Sequence, residues 1–166
     1  MDISQFPAHA GAIADALQAR AAAAAANAMA TEFHTELTDV TLRMSTHPRG
    51  TVTPAAPGQP PALVSGTLRR SAKIVPAVAA GTRATAEVRV GVVYARIQEL
   101  GGTVTAKRAK YLRFQYPAGK WHSVVSAKIP ARPYMKPTRD LLLATGRLQA
   151  RAAQAIAAVV REAAGG

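Results

Sequence analysis

Six consecutive alanines at residues 21–26 constrain the fold of this chain more than any other feature. Alanine is the strongest helix former, so this run predicts a helix, which we extend from residue 8 to about residue 45. Apolar residues at steps of four, three and four continue one helical face, at Phe33, Leu37, Val40 and Met44. Pro48 then ends the helix, because proline disfavours helical geometry at the residue before it.

A proline-rich segment follows the helix at residues 50–63. It contains Pro54, Pro57, Pro60 and Pro61. This density of proline is typical of an extended chain with polyproline character. Two interpretations stay open: a linker between folded parts, or an arm that reaches a neighbouring subunit.

The rest of the chain predicts strands and then a second helix. Val88, Val90 and Val92 occur at every second position, which is the period of a half-buried strand. Residues 117–120 predict a hairpin-type turn. We therefore expect an α+β fold in a single domain over residues 1–166. Its parts are a long N-terminal helix (8–45), the extended loop (50–63), an antiparallel β-meander of about four strands (64–130) and a C-terminal helix (138–164) packed on the sheet.

Positive charge is concentrated in the middle of the chain. Lys and Arg number 21 against 9 Asp and Glu, which gives a net charge of +12. Residues 41–139 contain 17 of the bases and only two acids, Glu87 and Glu99, so the excess there is 17 − 2 = +15. A field of this sign attracts polyanions, either nucleic acid through its phosphates or acidic protein neighbours.

The densest basic stretch is residues 107–113, where cations stand beside aromatic residues. The candidate contacts to DNA or to an acidic partner are Lys107, Arg108, Lys110 and Arg113. Such cations bind a phosphate backbone, and neighbouring aromatic rings stack on bases. The alternative is a solvated loop leading into a strand whose aromatic residues belong to the core. No helix-turn-helix or RNA-recognition signature accompanies the stretch, so base-specific readout is not expected.

Three prolines stiffen the segment at residues 129–137, namely Pro130, Pro133 and Pro137. They hold Arg132 and Tyr134 at set positions ahead of the C-terminal helix. The segment is either a rigid connection that stacks Tyr134 on the sheet, which we favour for that residue, or a loop that contacts another subunit.

Residue types for catalysis or metal binding are sparse. The four histidines have no HxxxH or HxH spacing, and the chain has no cysteine. With only two acids in residues 41–139, we expect no converging nucleophile, base and orienting acid there. Gly101 and Gly102 lack the GxxxxGK[ST] pattern of a phosphate loop and predict a tight turn. We expect neither an enzyme nor a cofactor.

The sequence also has no membrane or export signal. No apolar run approaches the roughly 20 residues that span a bilayer. Residues 1–7 have neither the basic region nor the apolar core of a signal peptide. We therefore expect a soluble, intracellular protein, which the absence of cysteine suits.

Four short motifs follow one another in a set order. They are PGQPPALVSGTLRRS at residues 57–71, YARIQELGG at 94–102, KYLRF at 110–114 and IPARPY at 129–134. In this order they resemble the head–tail joining and tail-completion (neck) proteins of long-tailed bacteriophages, over roughly residues 30–160. The alanine-rich N-terminus is less typical of that family.

The resemblance implies a virion structural protein that forms a hexameric ring at the phage neck. Implied partners are other copies of the chain, a connector or stopper protein on the head side, a tail terminator or tail tube protein, and packaged DNA in the channel. The implied location is the head–tail junction, after assembly in the host cytoplasm. The residues expected to contact subunits or partners are Pro57, Pro60, Pro61, Leu68, Arg69, Arg70, Arg132 and Tyr134.

A second interpretation is a basic nucleic-acid-binding protein without a role in the virion. Salt-sensitive affinity of the free monomer for DNA would favour it, because phosphate binding weakens steeply with salt. Ring formation or docking on a connector would favour the neck protein instead.

Overall fold

The computed structural model describes residues 6–44, 54–115 and 120–165, with side chains from residue 9 onward. Its helices are α1 (Phe6–Thr35), α2 (Thr67–Arg70), α3 (Ala95–Leu100), α4 (Met135–Ala144) and α5 (Arg147–Gly165). Its strands are β1 (Ala72–Ala80), β2 (Arg83–Val90), β3 (Gly102–Thr105), β4 (Leu112–Gln115), β5 (Trp121–Val124) and β6 (Ser126–Ile129). The predicted α+β class, with a long N-terminal helix, antiparallel strands and a C-terminal helix, is confirmed.

The chain divides into two compact units. Unit 1 consists of Met1–Thr35, Lys73–Arg89 and Asp140–Gly166, and unit 2 consists of Glu36–Ala72 and Val90–Arg139. Each unit is therefore assembled from separate stretches of sequence, unlike two domains joined in tandem. The single domain expected from the sequence stays a prediction.

In unit 1, α1 and α5 lie side by side. The buried apolar residues of α1 are small, namely Ala25, Ala26 and Ala30, and Glu32 is its buried charged residue. Small side chains at a contact allow two helix axes to approach closely. The alanine run thus supplies a helix with small side chains on its buried face.

Ion pairs at both ends fix the antiparallel direction of α1 and α5. Arg20 Nη2 lies 3.2 Å from Glu162 Oε1, which joins the first half of α1 to the end of α5. Towards the other end, Glu32 accepts hydrogen bonds from Arg147 Nε at 2.8 Å and Arg151 Nε at 2.9 Å. Those two hydrogen bonds, that from Arg151 first, hold the pKa of the Glu32 carboxyl below its usual value.

The helical course continues past α1 but changes its period. Glu36–Val40 is π-helical and Thr41–Arg43 is a 3₁₀ turn. The predicted apolar stripe does not survive this change: Leu37 is buried, whereas Val40 is 48% exposed and Met44 is 69% exposed. A face spaced for 3.6 residues per turn loses its alignment where the turn first widens and then tightens.

The strands form three two-stranded sheets, β1–β2, β3–β6 and β4–β5. This corrects the expectation of one meander of about four strands. β1 and β2 join through Gly81, whose φ of +60° suits a tight turn. Of the predicted boundaries, residues 45–53 and most of the turn at residues 117–120 lie outside the described residues.

The predicted C-terminal helix is two helices. α4 begins at Met135, three residues before the expected start, and the helical course breaks at Gly146 before α5. Gly146 has a φ of +67°, the left-handed geometry that commonly ends a helix. Thr145 Oγ1 donates to Leu141 O at 2.8 Å, which satisfies one of the last carbonyls of α4.

Candidate functional site

Two of the four motifs meet in unit 2 in a compact arrangement that we call the hub, defined as residues 94–101 and 130–138. Arg132 N donates to Gln98 O at 2.6 Å. A Cβ at Gly101 would lie only 2.7 Å from Ala131 N, and Gly101 has a φ of +67°. Backbone here packs directly on backbone, so the position requires glycine for both space and conformation.

Glu99 joins the two segments of the hub. Its Oε2 accepts hydrogen bonds from Tyr134 N at 2.7 Å and Met135 N at 2.9 Å, and its Oε1 accepts one from Lys136 N at 3.0 Å. The first N–H groups of a helix have no partner within it, and a carboxylate also complements the positive end of the helix dipole. Glu99 therefore caps the N-terminus of α4, although it lies 36 residues before Met135 in the sequence.

Tyr134 is the largest fully buried side chain of the hub and is only 1% exposed. Its hydroxyl donates to Ala95 O at 3.3 Å. Burial, followed by the nearby negative charge of Glu99, raises the pKa of Tyr134 to about 12. Thr138 continues the arrangement, because its Oγ1 lies 2.7 Å from Tyr134 O and 2.7 Å from Thr41 Oγ1.

The proline-rich segment is anchored on the hub. Arg132 Nε donates to Ala55 O at 2.7 Å, and Gly58 N donates to Ala131 O at 2.9 Å. Arg132 is 7% exposed, and the bond to Ala55 is the one recorded for its guanidinium among the described residues. Residues 54–61 thus follow a set course over unit 2.

The first motif ends in α2, which is also tied down within unit 2. Gly66 precedes the helix with a φ of +71°, and Ser65 Oγ accepts a hydrogen bond from Thr67 N at 3.3 Å. Arg69 Nε donates to Thr38 O at 2.7 Å, and its Nη2 lies 2.8 Å from Asp39 Oδ1. The bond from Arg69 holds the pKa of the Asp39 carboxyl below its usual value.

A cleft of about 220 Å³ lies between the proline-rich segment, α2 and the hub, all within unit 2. Its apolar wall includes Leu42, Leu63 and Leu68, and its polar groups include Arg69, Gln98 and Arg132. Gln98 Oε1 is buried without a hydrogen-bond partner among the described residues. A buried acceptor without a partner costs free energy, so a donor that entered the cleft would be stabilised there.

Of the residues predicted as subunit or partner contacts, Pro61, Leu68, Arg69 and Arg132 line this cleft, and the eight differ in exposure. Pro57 and Arg70 are exposed, while Pro61, Leu68 and Arg69 are half-buried. Pro60, Arg132 and Tyr134 are buried. The sequence predicts that Tyr134 stacks on the sheet; it is buried, and its hydroxyl donates to Ala95 O of α3.

The third motif lies in a separate part of unit 2 that we call the arm, defined as residues 102–115 and 120–129. β3 and β6 pair Thr103 with Lys128, whereas β4 and β5 pair Arg113 with Ser123. In an antiparallel pair the numbers of facing residues have a constant sum, which is 231 in the first sheet and 236 in the second. The difference of five shows that residues 106–111 contain five more residues than the facing strand does.

This insertion divides one long hairpin into two sheets. Ala106 N still donates to Val125 O at 3.2 Å, so the hairpin stays joined at that point. The five extra residues, 107–111, are all exposed. An extra residue in one strand interrupts the ladder and bends it, and five residues here end it outright.

The four predicted polyanion contacts are brought together on the arm. Lys107, Arg108 and Lys110 lie in the insertion, and Arg113 lies on β4. Trp121 is 64% exposed, and Arg113 Cζ lies 5.7 Å from the centroid of its ring. On the other face of the same strands, Phe114 stacks on His122 with ring centroids 5.9 Å apart.

Sequence reasoning missed Glu99, Gln98 and Trp121. Glu99 had a usable signal, because it is one of two acids among the 17 bases of residues 41–139. Gln98 and Trp121 had none, since a buried acceptor and an exposed ring are decided by packing. In the described part of the chain, no group of three His, Cys, Asp or Glu side chains is placed to hold a metal ion.

Within residues 6–44, 54–115 and 120–165, no helix is both long enough and apolar enough to cross a membrane. Comparison of the chain with known proteins found no matching family model, no similar curated protein and no similar solved structure. The likeness to phage neck proteins therefore rests on the four motifs alone.

Proposed function

We propose that this protein is a virion structural protein that completes the phage tail and joins it to the head, as one subunit of a hexameric ring. It works by binding and carries no catalysis. Its partners are other copies of itself, a connector or stopper protein on the head side, and a tail terminator or tail tube protein. Its place is the head–tail junction of the virion.

The observation that carries this proposal is the joint use of three motifs in one cleft. Residues 61–69 of the first motif form much of its wall, Gln98 comes from the second motif and Arg132 from the fourth. These segments are far apart in sequence, and their hydrogen bonds hold one shape for the cleft. A rigid, preformed surface suits a subunit that must repeat the same contact around a ring.

The size of the cleft favours a protein partner. At about 220 Å³ it is smaller than the roughly 300–1,000 Å³ typical of small-molecule sites. It has an apolar wall, an unpaired acceptor and the cations Arg69 and Arg132. We propose that it receives one side chain of a neighbouring subunit, with Leu68 in its apolar wall and with Pro57 and Arg70 as further contacts outside it.

The test is electron microscopy of particles from the parent phage with this gene deleted. We expect separate filled heads and tails of finished length, restored to virions by the wild-type gene in trans. Leu68→Asp should fail to restore them, because it places a charge on the apolar wall of the cleft. Val78→Asp, on an exposed position of β1, is the matched control and should restore them. Intact virions from the deletion phage would overturn the proposal.

A second function is favoured by one specific observation, the net charge of +12. A basic nucleic-acid-binding protein without a virion role would show the charge without the assembly. Infectious virions from the deletion phage, together with salt-sensitive DNA binding by the purified chain, would support this alternative.

A further inference from the structure

We propose that the arm binds nucleic acid, with the insertion at residues 107–111 on the phosphate backbone and Trp121, paired with Gln115 at the other end of β4 and β5, as a second contact. This inference rests on the proposed function only for the setting in which nucleic acid is met. The binding itself follows from the charge and geometry of the arm.

The positive charge of the arm is not neutralised by other described residues. Residues 102–115 and 120–129 contain six bases and no acid. The six are Lys107, Arg108, Lys110, Arg113, Lys120 and Lys128. All are exposed, and none makes an ion pair with another described residue. Six like charges on one hairpin repel one another, so a bound polyanion would relieve an existing cost.

Several bases elsewhere in the chain form ion pairs, whereas those of the arm form none with another described residue. Arg69 pairs with Asp39, Arg89 pairs with Glu87, and Arg151 pairs with Glu32. The arm is thus a local excess of positive charge and not merely a sample of a basic protein.

Another copy of this chain is not the occupant, because nearly all of its described acids already have partners. Of the described acids, only Asp15 lacks a recorded interaction; the other seven cap a helix, form ion pairs or have another partner. Seven acids already engaged offer no acidic surface to six bases. The occupant is therefore a polyanion of another kind.

The exposed aromatic rings of the arm favour nucleic acid over an acidic protein. Trp121 and Tyr111 are 64% and 44% exposed, and each has a cation near its ring: Arg113 for Trp121 and Lys110, at 5.5 Å, for Tyr111. Exposed rings interleaved with cations are the arrangement on which bases stack while phosphates are neutralised. An acidic protein would use the cations and leave the rings without a role.

The dimensions of the arm are compatible with two forms of nucleic acid. A two-stranded β-ribbon fits the major groove of a duplex, where the cations would contact the phosphates on either side. A single strand would instead lay its bases on the two exposed rings. Both share the phosphate chemistry, and the experiment separates them.

The test uses the purified full-length chain and fluorescein-labelled 20-nucleotide DNA, duplex and single-stranded, with anisotropy read at several salt concentrations. The triple variant K107A/R108A/K110A removes three bases from the insertion. The matched control K73A/R83A/R161A removes three exposed bases outside the arm. We expect the arm variant to lose at least about tenfold in affinity and about three from the slope of log K against log salt, while the control loses less than about threefold.

Trp121 adds a second readout because it is the single tryptophan of the chain. Quenching of its emission by the single strand, with loss of affinity in W121A, would assign stacking. Tight duplex binding without quenching would assign the groove, and both results support the proposal. Polyglutamate that binds as tightly per charge as DNA, or equal loss in the arm and control variants, would overturn it. The deletion phage tests the proposed function separately, so failure of either leaves the other standing.

Discussion

The hub and the arm are neighbouring parts of unit 2, and they treat polar groups in opposite ways. In the hub, Glu99 has three backbone donors and the Tyr134 hydroxyl has a carbonyl. In the arm, six bases and two aromatic rings face solvent. Groups that are satisfied inside the chain stabilise its shape, whereas exposed groups without partners are available to another molecule. The contrast separates residues that position the site from residues that bind.

The largest effect expected from this contrast comes from two tyrosines. Tyr134→Ala should lower the free energy of unfolding by about 3–5 kcal/mol, because it removes a fully buried ring. Tyr111→Ala, the matched change on the arm, should lower it by about 0.5 kcal/mol or less. Urea unfolding followed by circular dichroism measures both. Similar losses in the two variants would end the distinction between hub and arm.

A smaller effect is expected from two glycines with positive φ. Gly101→Ala should cost about 2–4 kcal/mol, because its Cβ would meet Ala131 N at 2.7 Å and the conformation is strained as well. Gly58→Ala has the strain but no atom within 4 Å, so it should cost about 1 kcal/mol. Thermal unfolding of the two variants gives the difference. Equal costs would mean that close backbone approach does not hold the hub together.

Loss of the Glu99 carboxylate should cost about 2–3 kcal/mol. Glu99→Ala leaves the N–H groups of Tyr134, Met135 and Lys136 without their acceptor, as in the removal of a helix cap. Glu87→Ala removes an exposed carboxylate on β2 and should cost about 0.5 kcal/mol or less. Hydrogen exchange at the three amides gives a local measure, and their protection should fall in the first variant alone.

The smallest expected effect is a loss of stability at low pH. It comes from Glu32 of unit 1, whose charge, unlike those of the arm, is paired within the chain. Its pKa is lower in the folded chain than in the unfolded chain, so its stabilisation is present above the unfolded value and is lost as the pH falls through the folded one. We expect about 1 kcal/mol or less, because both arginines keep contact with water. Urea unfolding from pH 7 to pH 3 measures it. Glu32→Gln should flatten part of that decline, and an unchanged profile would contradict the assignment.

Local sequence predicted the elements whose causes are local. The alanine run made α1 helical, and the alternation of Val88 and Val90 marked β2, although Val92 of the same pattern lies beyond the end of that strand. In β4 the burial alternates in the same way, with Phe114 half-buried and Arg113 exposed. Each of these properties depends on residues a few positions apart, so a local sequence pattern is enough to predict it.

Other features depend on partners that sequence order keeps far apart. The π-helical segment contains Thr38, whose carbonyl accepts a hydrogen bond from Arg69, 31 residues further along the chain. The apolar face predicted for a regular helix is lost in this segment. α4 begins at Met135 because Glu99 lies beside it, and no nearby residue signals that start.

The amino-acid sequence alone determined the class of fold, the positive charge of residues 41–139 and the order of the motifs, because composition and short spacings are properties of the chain. Tertiary structure decided that Arg132 and Tyr134 are buried, that the first, second and fourth motifs build one cleft, and that five extra residues split the arm. Those outcomes depend on which distant backbone groups find one another. Hydrogen bonds between distant residues are chosen by the whole packed structure, and no local pattern encodes them.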